Sequence, residues 1–414
     1  MHILLILLLA CQVLSCGILE KEISGICIHK HMWPPHTIEI FSYLLVFAIC
    51  NLANATGIGG GGMLVPLLVL MMGFPAHNAI PLSKSIILGG AIVSVILSLR
   101  TKPVLIDFKI VSLLQPMILL GTTVGVVLNK AFPDWMILML LTSTLIYVIY
   151  KNITKAFKLF REETKKIESA NEQKEKNYEQ SHGGIELMSK GSTHDESENF
   201  EVIPYETFPM SSIGLIVANY LSVLLFALIK GGSGMESILE IEQCSKPYWI
   251  LAGIYACYCM TMTFFAYKMV AADLSWTLLK SMCYTCISFF GGIGSGMLGL
   301  GGGVIISPLL LDIGVPPEAT AASSSLIVLF TSSSTSLQFF LGNMLDVEYA
   351  AVMFGISMLA SLTGITFISR LIKKYQRPSI IVFILAGITI LSAILLPGYS
   401  FYVMSENDTF HEIC

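Results

Sequence analysis

Two glycine runs hold the residues whose types and spacing could do chemistry. The first is Gly57-Ile58-Gly59-Gly60-Gly61-Gly62-Met63-Leu64-Val65-Pro66-Leu67-Leu68. The second is Gly299-Leu300-Gly301-Gly302-Gly303-Val304-Ile305-Ile306-Ser307-Pro308-Leu309-Leu310, at an offset of 242 residues. Glycine lets the chain leave helical geometry without a side-chain penalty and lets a second backbone or a ligand come close. A helix starting near Gly62 or Gly303 exposes free N–H groups and the positive end of its dipole. That is an anion site with no need of a basic residue. Gly59–Gly62 lacks the Lys-Ser/Thr of a phosphate-binding loop and follows an apolar helix, not a strand, which argues against a nucleotide. The alternative is that the glycines only permit tight helix packing. Two copies at matching positions, each leading a short apolar segment, favour a substrate site.

The loops after these segments also match, at an offset of 240. Ala79-Ile80-Pro81-Leu82-Ser83-Lys84-Ser85 faces Ala319-Thr320-Ala321-Ala322-Ser323-Ser324-Ser325. Hydroxyls donate to an anion and are cheap to bury; the competing role for Ser83 and Ser323 is N-capping of helices beginning at 82 and 320. Lys84 is the one basic residue between Ile40 and Leu99. An ionisable side chain beside a membrane motif is a functional candidate, with snorkelling at a helix end as its alternative. The candidate substrate-binding set is therefore Gly59, Gly60, Gly61, Gly62, Ser83, Lys84, Gly301, Gly302, Gly303, Ser323, Ser324 and Ser325. Asn51 and Asn54 could line the same cavity, and so could the hydroxyls of Thr331–Ser336. His77 is placed in a surface loop. Cys27 with His29, His31 and His36 has metal-ligand types, but a short lead-in without a ligand is the favoured reading. Cys283-Tyr284-Thr285-Cys286 reads as helix packing. No catalytic residues, metal site or cofactor are assigned, and the chain is not read as an enzyme.

The elements that must position these residues follow from composition. The chain has 414 residues, 54% hydrophobic and 13% charged, with a mean hydropathy of +0.75. Soluble domains carry about 25% charged residues. Nine of the 24 basic and eleven of the 28 acidic residues fall within 151–201, which leaves the rest poorer still. This excludes a soluble enzyme or disulfide scaffold and indicates a polytopic helical membrane protein. A net charge of −4 gives no reason to expect nucleic acid.

Apolar segments predict helices at 39–56, 62–73, 82–99, 108–129, 134–150, 212–230, 248–268, 282–299, 302–313, 320–341, 349–370 and 378–397. The segments 62–73 and 302–313, roughly 18 Å at 1.5 Å per residue, are too short for a core of about 30 Å. They read as half-helices. Residues 1–16 read as a signal peptide, with a retained anchor as the alternative, and 17–38 as a lumenal or extracellular lead-in. Basic clusters at Arg100/Lys102/Lys109, Lys151–Lys166 and Arg370–Arg377 predict an N-out, C-out topology. Residues 398–414 are then an outer tail, with Asn407 as a glycosylation acceptor. Residues 151–211 read as a disordered cytosolic loop; a helical start through Arg161 is the one structured part expected.

The motifs sit after the first helix of two five-helix sets, 39–150 and 282–397, separated by two linking helices within 212–268. An odd number of spans per set makes the sets inverted repeats, a transporter architecture with discontinuous helices meeting near the midplane. The expected fold is all-α, with about twelve membrane helices including two half-helices.

Gly57–Pro66 with Ala79–Ser85, and Gly294–Pro308 with Ala319–Ser325, resemble the paired motifs of the TauE/SafE family, named after sulfite exporters. Thr101–Phe108 resembles the loop after the third helix of eukaryotic-type members. The resemblance covers about 39–150 and 212–397. It implies transport of sulfite, organosulfonates or other small anions, coupled to an ion gradient with a proton or sodium ion as coupling ion, in the plasma membrane or endomembrane system. The lipid bilayer is the only other partner expected, and the oligomeric state is open. Val304 stands where the first motif's spacing has Gly62, so the half-sites are not equivalent. The alternative function is a non-transporting membrane scaffold or trafficking protein acting through the central loop.

Overall fold

The computed structural model describes residues 20–23, 26–29, 37–55, 61–101, 105–182, 210–235, 237–238, 245–274, 277–375 and 379–405. Gly59, Gly60, Asn407, His31 and His36 lie outside these residues. Among the described residues there is one antiparallel hairpin, β1 (Glu20–Ile23) with β2 (Ile26–His29), and twelve helices. The first repeat contains α1 (Thr37–Ala55), α2 (Gly61–Met72), α3 (Ala76–Thr101), α4 (Phe108–Ala131) and α5 (Asp134–His182). Two linking helices follow, α6 (Met210–Lys230) and α7 (Lys246–Leu274). The second repeat contains α8 (Leu278–Leu298), α9 (Gly303–Ile313), α10 (Pro317–Leu341), α11 (Val347–Tyr375) and α12 (Ser379–Ser405). Eight of these helices are long and apolar enough to cross a membrane.

The two half-helices form as expected, and each ends on a glycine in the left-handed region. Gly73 has φ +70 and Gly314 has φ +101. Carbonyls in the last turn of each are taken up by the chain beyond: Phe74 N–H donates to Leu68 O at 3.3 Å and Val315 N–H to Leu310 O at 3.0 Å. This C-terminal signal stops each helix after 12 and 11 residues.

Several boundaries differ from the expectation. α3 begins at Ala76, ahead of Pro81, so Ser83–Ser85 lie well inside the helix and do not cap it. The Asp134 carboxylate accepts from the His77 N–H at 3.0 Å and lies 3.6 Å from its imidazole, which fixes that first turn. His77 is thus part of α3, not a loop. α10 likewise begins at Pro317, which places Ser323–Ser325 in its interior. α5 runs on to His182, far past Arg161 and into the segment expected to lack structure. Cys283 and Cys286 are exposed on α8 and are not buried within the chain.

The repeats interlock. α1 packs on α11 as α8 packs on α4, α3 packs on both α10 and α11, and α5 packs on α12. The α4–α8 contact is a double small-residue seam. A Cβ on Gly121 would overlap Phe289 O and one on Gly125 would overlap Ile293 O; across the seam, Gly292 meets Ile118 O and Gly296 meets Thr122 O. Glycines four apart on both helices bring the backbones together without any hydrophobic driving force. α6 and α7 cover the outer side of α4.

Candidate functional site

The glycine runs meet. A Cβ on Gly61, at the first turn of α2, would overlap the backbone nitrogen of Gly301 and stand 2.8 Å from Gly299 O. Only glycine allows this backbone crossing. Gly299 itself holds φ +70, which turns the chain out of α8 and towards α9. On this side the glycine serves the packing role weighed from sequence.

Lys84 lies at the crossing. Its side chain is 0% exposed. The Nζ donates to Ser295 Oγ at 2.8 Å and to Leu300 O at 2.7 Å. Ser295 Oγ donates to the same carbonyl at 2.9 Å. Ser83, one residue before, donates to Gly299 O at 3.2 Å and to Ile80 O at 2.8 Å. Two adjacent side chains of the first repeat thus hold the non-helical link of the second. An ammonium has three donors, and no carboxylate among the described residues pairs with this one. Snorkelling is excluded, because Lys84 points into protein. Burying an ammonium without a counter-charge costs about several kcal/mol, so a function is the natural reason to keep it.

Gly302 has more room. The atoms nearest to a Cβ there are Thr331 Oγ1 at 3.2 Å, Ile118 Cδ1 at 3.7 Å and Ser295 Oγ at 3.8 Å. The Gly301 O and Gly302 O carbonyls accept from Val304 and Ile306 N–H as α9 starts. The N–H groups of Gly301, Gly302 and Gly303 have no acceptor among the described residues, as expected at a helix start. Gly61, Gly62, Gly301, Gly302, Gly303, Ser83, Lys84 and Ser295 are all buried, so the site is closed to solvent in this conformation.

The other sequence candidates lie elsewhere. Ser323 Oγ accepts from the Asp107 N–H at 2.9 Å and anchors the start of α4. Ser324 and Ser325 donate to Ala321 O, at 3.1 and 2.8 Å, within their own helix. Ser85 donates to Ala350 O at 3.3 Å and ties α3 to α11. Asn51 pairs with Thr363 Oγ1 at 3.1 Å, and Asn54 fills the space over Gly90; both join helices. Ser295 was missed from sequence, although it stands among the glycines of the second motif. Asn129 was missed too; its Nδ2 donates to Met297 O at 2.8 Å and steadies the end of α8.

A family model described as "Sulfite exporter TauE/SafE" matches residues 42–188 and 284–400. Three Arabidopsis thaliana proteins are similar along most of their length. "Sulfite exporter TauE/SafE family protein 5" is 29% identical over 373 residues, 87% of this chain and 82% of its own. "Sulfite exporter TauE/SafE family protein 2" is 29% identical over 390 residues, covering 88% and 83%. "Sulfite exporter TauE/SafE family protein 3" is 29% identical over 410 residues, covering 93% and 84%. No solved structure matches the chain.

Proposed function

Because the chain belongs to the TauE/SafE family and is a multi-pass protein of this transporter class, we propose that it is a secondary carrier for a small anion. Sulfite, an organosulfonate or a related sulfur or organic anion is the substrate class, and alternating access the mechanism. The observation that supports this most is the buried Lys84 ammonium, which lacks a counter-charge among the described residues and sits where the two glycine motifs meet. An anion supplies that charge. It is received by Lys84 Nζ and by the amide groups at the start of α9, with the Ser295 hydroxyl able to turn its proton to the ligand.

Lys84 and Ser83 are bonded to Leu300 O and Gly299 O. These bonds close the site and link the repeats. An arriving anion competes for the ammonium and loosens the link. The backbone contact of α4 with α8 joins helices of different repeats. The units that rock against each other are therefore mixed: α4 with α8 on one side, and α1 with α11 on the other. The proposed orientation is N-out and C-out, in the plasma membrane or endomembrane system, with a proton or sodium gradient as the driving force.

Thermal unfolding of the purified protein with added anions tests the site. A ligand at 100 times its Kd stabilises by about 2.7 kcal/mol. The midpoint should rise with one sulfur anion in the wild type and stay fixed in Lys84→Gln. Equal shifts in both would remove Lys84 from the site.

A further inference from the structure

We propose a second anion-binding site, a capture pocket between the C-terminal ends of α4, α6 and α10, which passes a small oxyanion to the central crossing. The inference rests on the anion-carrier reading above. The pocket is walled by Lys130, Lys230, Gly231, Gly232, Tyr248 and Gln338 and holds about 60 Å³. At ~10–15 Å³ per water, that space admits a few waters or one small oxyanion.

The two lysines come from different helices, and the proposed orientation puts both on the outer side, where basic residues are few. Lys230 Nζ stands 5.1 Å from the centre of the Tyr248 ring, which holds the ammonium against the pocket wall. Each lysine lies in the last turn of its helix, where the dipole favours a cation. That accounts for a base at each helix end, but not for both lining one pocket. Hydrogen bonds hold the link after α6 against its own last turn and against the end of α10. Gly231 N–H donates to Ala227 O at 3.0 Å, Gly234 N–H to Leu341 O at 2.9 Å and Ser233 Oγ to Gly342 O at 2.7 Å.

Polar side chains lead inward from this pocket. Gln338 is 9% exposed and lines this pocket. Its Nε2 donates to Ser334 Oγ at 3.1 Å and to Thr123 Oγ1 at 3.3 Å. Ser334 and Thr331 are three residues apart and share one face of α10. Thr331 Oγ1 lies 3.2 Å from a Cβ built on Gly302, and Ser295, the partner of Lys84, lies 3.8 Å from the same point. Thr331 at present donates to its own helix at Ile327 O, 3.0 Å away. A hydroxyl can turn that single proton to a passing anion.

The test uses the full chain in proteoliposomes. Lys230→Gln should raise KM for the transported anion about tenfold, the factor that ~1.4 kcal/mol represents, with kcat unchanged, and Lys230→Arg should restore it. A second readout needs no transport. Val127 lines the pocket, and Val127→Cys should react several-fold faster with an anionic thiol reagent than with a cationic one, above the background of the native cysteines. Sulfate should slow that reaction, and adding Lys230→Gln should abolish the preference. Anion flux with no reagent preference overturns the pocket and leaves the carrier reading. Reagent preference with sulfate protection, in protein that moves no anion, supports the pocket and overturns the carrier reading.

Discussion

Lys84 Nζ and Ser295 Oγ lie 2.8 Å apart across the junction of the two repeats. One residue is on α3 of the first repeat and the other on α8 of the second, and both bond to Leu300 O. The bridge places a fully buried ammonium where the two interrupted helices cross. Its expected consequence is a separation of stability from transport. Replacing a buried ion pair by apolar side chains of similar volume is often neutral or stabilising by ~1–4 kcal/mol, and Lys84 has no carboxylate partner among the described residues for its removal to strand. Lys84→Met should therefore keep or raise the unfolding temperature and abolish anion flux. Normal flux in that variant would remove Lys84 from the mechanism.

The glycines of the crossing should divide by their neighbours. Gly61→Ala drives a methyl into the Gly301 backbone, and overpacking of this kind costs ~1–3 kcal/mol. Gly302→Ala meets a hydroxyl at 3.2 Å that can yield, so folding should survive and transport should fall. Gly302→Val should abolish flux with membrane insertion intact. Thermal unfolding and flux measured together distinguish the two positions; matching losses of stability at both would contradict the difference in surroundings.

The α4–α8 seam gives a third expectation. Gly121→Ala and Gly292→Ala should each destabilise by ~1–3 kcal/mol. At Gly214 and Gly253, nothing lies within 4 Å of an added Cβ. Alanine there should be neutral or stabilise by ~0.4–1 kcal/mol. The four unfolding midpoints, measured side by side, check the seam.

The left-handed glycines that end the half-helices should be as sensitive as the crossing. Gly73→Ala and Gly314→Ala place an L side chain at φ +70 and φ +101, at a cost of roughly 1–2 kcal/mol each. Space does not limit either site, because nothing lies within 4 Å. Gly314→Asn, which tolerates this region better, should recover part of the loss.

Much of the fold was legible because its signals are local. The twelve-residue apolar runs, the paired glycines and the matching Pro66 and Pro308 mark the half-helices in the sequence. The start of α3 was not legible, because Pro81 reads as a helix breaker and the anchor of the first turn, Asp134, is distant in sequence. At the site, Lys84 stood out as a lone base in an apolar stretch. Its partner could not be inferred, since the 2.8 Å contact joins residues 211 positions apart. The serines illustrate the limit of spacing. Ser83 and Ser323 occupy equivalent positions, yet one bonds the glycine link and the other the Asp107 amide. Lys130 and Lys230 are 100 positions apart in the sequence, and folding places them in one pocket.

Counterflow in proteoliposomes tests the carrier most directly. Vesicles containing the folded protein, loaded in turn with sulfite, sulfate, taurine, sulfoacetate and simple carboxylates, would be challenged with the labelled anion outside. A carrier built on Lys84 gives saturable exchange of at least one sulfur anion, lost in Lys84→Met. Absence of exchange with every anion, in protein shown to be folded, would contradict it and favour a scaffold acting through residues 151–211.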